Sequence, residues 1–166
     1  MAQIKRYRLA QMMLILFLLP PLCFGEVYIT KEEVIRNIFP SHKEYKEEAK
    51  IVDSQEVKVY TALANGKIIG WAVVLDEMGK IKPITFLVGI DAEDRVLQVY
   101  VLEYRDMFGS EIKRRSFLKQ FRSKSTLDIL KIGRDIDAVT GATISSNAAA
   151  SAVKKALKII EDARKE

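Results

Sequence analysis

The dipeptide Asn65-Gly66 separates two runs of strand-like alternation. Val57, Val59 and Thr61 alternate with Lys58 and Tyr60 before it, and residues 67–75 follow it. A two-residue hairpin turn of type I′ needs positive φ at both central residues, and Asn-Gly supplies that, so the pair fixes an antiparallel register. A second turn around Glu77-Met78-Gly79-Lys80 leads into 84–90, and the polar turn Asp91-Ala92-Glu93-Asp94 leads into 96–104. Strands in direct succession, with no helix between them, predict an antiparallel sheet of about four or more strands in an α+β fold. Trp71, after Gly70 in the second strand, reads as a core or sheet-face residue.

The helices that cover such a sheet lie at its two ends in the sequence. Thr30-Lys31-Glu32-Glu33 is a capping box that opens a short helix with Val34, Ile35, Ile38 and Phe39 apolar, closed by Pro40. Residues 41–50 are charged and read as a solvated linker, with His42 a surface residue in it. After the last strand, Ser110 is placed to cap a helix carrying Ile112, Phe117, Leu118 and Phe121. Its basic residues Lys113, Arg114, Arg115 and Lys119 form either a solvated face or a docking surface for an acidic partner. A second short helix is expected over 126–131. The last helix, over about 144–164, carries Ile144, Ala148, Ala152, Ala156 and Ile160 at four-residue spacing, flanked by Ala149, Val153 and Leu157. That stripe faces the core, and its small alanines permit close approach to the sheet.

Residues 1–25 have the pattern of an export signal. Lys5, Arg6 and Arg8 precede an apolar run over 9–19, interrupted only by Gln11, and Cys23 and Gly25 stand at −3 and −1 for cleavage before Glu26. This eleven-residue run would span roughly 16 Å as a helix, short of a hydrocarbon core of roughly 30 Å. The alternative is an uncleaved N-terminal anchor extending to Phe24. Bulky Leu22 argues against a lipoprotein signal at Cys23. Either way the domain is expected outside the cytoplasm, and the chain divides into a signal over 1–25, a helix and linker over 26–50, and one domain over 51–166. Removing the signal takes the formal charge from +5 to +2 (5 − 3) and removes the single cysteine. A near-balanced chain gives no reason to expect nucleic-acid binding, and no thiol chemistry or cysteine-ligated metal remains.

The chemistry concentrates in Asp137-Ala138-Val139-Thr140-Gly141-Ala142-Thr143, which runs into Ile144-Ser145-Ser146 and the alanine-rich helix. It places the Thr143 hydroxyl at a helix mouth, where unpaired N–H groups and the positive end of the helix dipole favour a phosphate. The same residues also suit an ordinary loop and helix cap, with Thr143 or Ser145 accepting from backbone N–H groups and Asp137 satisfying its loop. Other schemes find no support. No G-x-S-x-G elbow, P-loop or G-x-G-x-x-G fingerprint is present, and one histidine does not make a triad or a metal cluster.

Asp137-x-x-Thr140-Gly141-Ala142-Thr143 resembles the flavin-attachment motif D-x-x-[ST]-G-A-T of the FMN-binding domain family. That family includes the extracytoplasmic flavin subunits of sodium-pumping NADH:quinone reductase and Rnf-type complexes, and stand-alone exported proteins. The resemblance extends over about 57–160. It implies FMN in phosphoester linkage to Thr143, installed from FAD by a magnesium-dependent flavin transferase. Asp137, Thr140, Gly141 and Ala142 would then serve recognition, with Ser145 and Ser146 beside the phosphate. Large-complex subunits carry a His-x-Glu-Thr-Pro-Gly-Leu-Gly type loop where this chain has Glu103-Tyr104-Arg105-Asp106-Met107-Phe108-Gly109. Glu103, Tyr104, Met107, Phe108 and Gly109 are the candidates to flank the isoalloxazine. The missing histidine and Thr-Pro point away from a sodium-pumping complex and towards a stand-alone electron carrier with redox partner proteins. Two other readings stay open: a reductase of a small substrate, using Glu103, Tyr104 or Arg105 as proton donor, and a flavin-free binding module of a membrane complex.

Overall fold

A computed structural model describes residues 30–165, so the expected signal segment lies outside the described residues. Five strands form one antiparallel meander: β1 (Glu44–Val52), β2 (Gln55–Ala64), β3 (Lys67–Met78), β4 (Pro83–Asp91) and β5 (Val96–Tyr104). The Asn65-Gly66 turn joins β2 and β3, with φ of 52° and 75° at its two residues. Helix α1 (Lys31–Ile38) is capped as its sequence requires, with the Thr30 hydroxyl accepting from the Glu33 N–H at 3.3 Å. After β5 come a 3₁₀ turn (Ser110–Lys113), the short α2 (Arg115–Leu118), another 3₁₀ turn (Lys119–Phe121), and the long α3 (Thr143–Ala163). Among the described residues no helix is long and apolar enough to cross a membrane.

The sheet is covered on both faces, and β4 is therefore almost continuously buried from Ile84 to Ile90. On one face Val34, Ile35 and Phe39 from α1 pack on Tyr60, Ala72 and Leu87. On the other, the alanine stripe of α3 and Ile112, Phe117 and Phe121 pack on Val73, Phe86, Val88 and Val99. Trp71 is half-buried against this second layer, with the Arg164 guanidinium 5.7 Å from its ring.

Four local expectations are corrected. The charged segment 41–50 is not a linker but most of β1, an edge strand whose side chains are nearly all exposed, so no alternation announces it. Its histidine is half-buried, with Nδ1 at 2.5 Å from the Phe39 carbonyl. Ser110 caps nothing; Gly109 stands at that position, and the expected helix is broken into three short pieces. No helix forms over 126–131, because aspartates there take the backbone N–H groups that a helix would use. Asp128 accepts from the Ser125 N–H at 2.9 Å, and Asp135 from the N–H groups of Leu130 and Lys131 at 3.0 and 2.7 Å.

Candidate functional site

The site is built where α3 begins. The chain turns through Gly141 (φ +76°), and Thr143 becomes the first residue of the helix, with Ala142 at the cap position. Alanine offers no oxygen, so the helix starts without a side-chain cap. Among the described residues nothing accepts from the N–H of Thr143, Ile144 or Ser145; the first helical bond runs from the Ser146 N–H to the Ala142 carbonyl at 2.8 Å. The simple-cap reading therefore loses its basis, since neither the Thr143 nor the Ser145 hydroxyl is spent on these donors.

Thr143 is exposed at the edge of a cleft of about 280 Å³, lined also by Lys80, Phe108, Gly109, Gly141, Ala142, Ile144 and Ser145. Ile144, expected in the core stripe, is 50% exposed and lines the cleft instead. With Phe108, at 51%, it gives the cleft an apolar lip. Among the described residues Lys80 is the only charged one in the lining, and its ammonium lies 4.7 Å from the Phe108 ring.

Tyr104 and the serines hold the two walls together. The buried Ser145 hydroxyl lies 3.0 Å from the Tyr104 hydroxyl, and both meet the Phe108 carbonyl. Burial raises the Tyr104 pKa, and the charges of Asp106 and Glu111 act the same way against the opposing Ser145 bond, so the phenol stays protonated and donates. The fully buried Ser146 accepts from the Val139 N–H at 3.3 Å and so fixes the loop before Thr143.

A bulge decides which residue of the β5 end reaches the cleft. Val101 pairs with Phe86, but Glu103 pairs with Thr85 and Tyr104 with Ile84, so the register slips by one. A one-residue slip exchanges the faces of everything beyond it. Tyr104 thereby joins the α3 layer, whereas Glu103 turns to the opposite face and pairs with Arg105, beside Asp76 and Thr85. The structure thus brings Gly141, Ala142, Thr143, Ser145, Phe108 and Gly109 together, with Tyr104 and Ser146 bracing them. Met107 is 76% exposed next to the cleft. Asp137 and Thr140 stay exposed on the approach loop, where the Gln120 amide holds the Asp137 backbone at 2.8 Å. Lys80 is the residue that sequence reasoning missed; only the β3–β4 turn geometry brings it here.

That turn is held by Asp106. Its buried carboxylate accepts from the N–H groups of Ile81 at 2.9 Å and Met107 at 2.7 Å. The Ile81 bond foremost, with the Met107, Lys82 and Lys80 N–H groups, holds its pKa below the ordinary aspartate range against the opposing effect of desolvation. A depressed pKa means stability that is fully present above about pH 4 and lost as pH falls through the lowered value. Urea unfolding between pH 6 and 2 should show the wild type losing stability more steeply than Asp106→Asn at the acid end. Equal slopes would remove Asp106 from this role.

The family model described as FMN-binding domain matches residues 79–158, which span Lys80, the 103–109 loop, Thr143 and most of α3. No curated protein matches the chain.

Proposed function

Because the chain belongs, through residues 79–158, to the FMN-binding domain family, we propose that it is an exported flavoprotein with FMN in phosphoester linkage to Thr143. In this reading it passes electrons between redox partners outside the cytoplasm. The observation that carries the attachment point is an exposed hydroxyl on the first residue of an uncapped helix, inside a cleft whose one charged wall residue is Lys80. A phosphodiester keeps one negative charge, and the N–H groups of the first turn, the helix dipole and the Lys80 ammonium all favour it there. Phe108 and Ile144 present apolar surface to a flat ring, and Gly109 and Gly141 let the backbone come close. When bound, FMN supplies one- and two-electron chemistry; the protein supplies position and electrostatics.

Maturation requires a partner. In the proposed step the Thr143 hydroxyl oxygen attacks the FMN phosphorus of FAD, the P–O–P bridge breaks, the hydroxyl proton is released and AMP leaves. A magnesium-dependent flavin transferase would catalyse it. The export pattern over 1–25 supports the location, either as a cleaved signal or as an anchor.

An electron carrier is favoured over a reductase of a small substrate by the placement of proton donors. Glu103 and Arg105 face away from the cleft, and the Tyr104 hydroxyl is engaged by Ser145 and Phe108. Co-expression with a flavin transferase should give a band that fluoresces on a denaturing gel, and expression without it a dark one. A dark band in both would overturn the attachment.

A further inference from the structure

A second cleft, of about 350 Å³, lies beside the first and differs from it in charge. Lys113, Arg115, Lys119 and Arg122 line it, with Leu118, Gln98, Val99 and Tyr100, and among the described residues no carboxylate takes part. Among the described residues none of the four cations forms an ion pair. Other cations are held by acids, Lys124, Lys155 and Lys158 by two each, and among the described residues those that are not do not share one groove with three others as these do. Four uncompensated cations around one groove favour an anionic occupant.

The groove also has the shape of a strand site. Successive strand residues point to opposite faces, yet Gln98, Val99 and Tyr100 all line it, so it runs along the strand's edge. β5 ends the sheet. Its outer edge is closed at the start, where Val96 exchanges bonds with Lys124 and Ser123 and the Leu97 carbonyl accepts from Arg122 Nε. Beyond that point, among the described residues, no other main chain pairs with the outer edge. An edge strand with open N–H and C=O groups is a template for an added strand.

Lys113 connects the two clefts. It lines the cationic groove, and its ammonium lies 5.7 Å from the ring of Tyr104, whose hydroxyl braces Ser145 in the Thr143 cleft. We infer that the groove between β5 and the 113–122 segment docks an acidic, extended segment of the protein that exchanges electrons with the flavin. The redox role of that partner rests on the function proposed above; the acidic docking site does not.

The test uses the full chain, with and without flavin, and three fluorescein-labelled or lipid probes. These are a peptide of alternating glutamate and valine, the same peptide with glutamine for glutamate, and phosphatidylglycerol vesicles. The acidic peptide should bind in both flavin states, at least tenfold more tightly than the glutamine peptide, and should weaken as salt rises. The exposed double change Arg115→Gln with Lys119→Gln should weaken it about tenfold, whereas Lys154→Gln, on the outer face of α3, should leave it unchanged. Amide exchange over 98–102 should slow when the peptide binds. Equal binding of the two peptides, an unaffected double variant, unchanged exchange at 98–102, or preference for vesicles would overturn the proposal. A chain that binds the acidic peptide but never acquires flavin would fail the functional reading and keep the docking site.

Discussion

Thr143→Val is expected to abolish covalent flavin while leaving the protein folded. Valine matches threonine in shape and nearly in helix propensity. The Thr143 side chain is exposed, and among the described residues its hydroxyl makes no hydrogen bond; only its carbonyl is used, by the Asn147 amide at 2.9 Å. Surface changes of this kind cost within about 0.5 kcal/mol, so the melting temperature should stay nearly fixed. The neighbouring hydroxyls offer no substitute. Ser145 and Ser146 are 2% and 0% exposed and are already committed to Tyr104 and to the Val139 N–H. Intact mass after co-expression with a flavin transferase should show the unmodified chain alone for Thr143→Val, and a partly modified chain for Thr143→Ser, which keeps a hydroxyl. A valine variant carrying full flavin mass would move the attachment to another residue and end the proposal for this one.

Most of the sheet was legible because burial writes itself into strands as alternation, and because Asn65-Gly66 and the Asp91 turn allow few other connections. Where burial is missing, so is the signal. β1 is exposed almost along its length and reads as charged linker, although it pairs with β2 over nine residues. The absent helix at 126–131 fails for the opposite reason: its apolar spacing is adequate, but Leu127 is 92% exposed and Asp128 and Asp135 organise the loop around Lys124. In the site, the local half was readable, since Gly141, Ala142, Thr143 and Ser145 are contiguous with a helix start. The distant half depended on a bulge. Nothing in Glu103-Tyr104 says which one faces α3 until the register slip between Thr85 and Phe86 is known. Lys80 enters the cleft across the same β3–β4 end, through a turn held by a carboxylate 26 residues away in sequence (106 − 80).

Gly109→Ala is expected to damage both stability and flavin loading, and a matched control separates the causes. Gly109 has φ of +85°, a left-handed conformation that costs an L-residue roughly 1–2 kcal/mol. Gly133 has φ of +79° and open space where a Cβ would stand, so Gly133→Ala incurs that conformational cost alone. At Gly109 the added Cβ would lie 2.5 Å from Ser145 Oγ and 3.2 Å from Tyr104 Oη. One of these must yield. Ser145 is itself buried in the first turn of α3, and losing its bond to Tyr104 leaves it only the long 3.4 Å contact with the Phe108 carbonyl, at roughly 1–3 kcal/mol. Gly109→Ala should therefore unfold at clearly lower urea than Gly133→Ala. Its melting temperature should fall by about 10 °C, at roughly 4 °C per kcal/mol for a domain of this size. Relaxation by withdrawal of the 104–109 loop would also take Phe108 from the Thr143 cleft, so covalent flavin per folded molecule should drop in Gly109→Ala and stay full in Gly133→Ala. Equal stability and equal loading in the two variants would mean that the close contact between the loop and the start of α3 is incidental to the site.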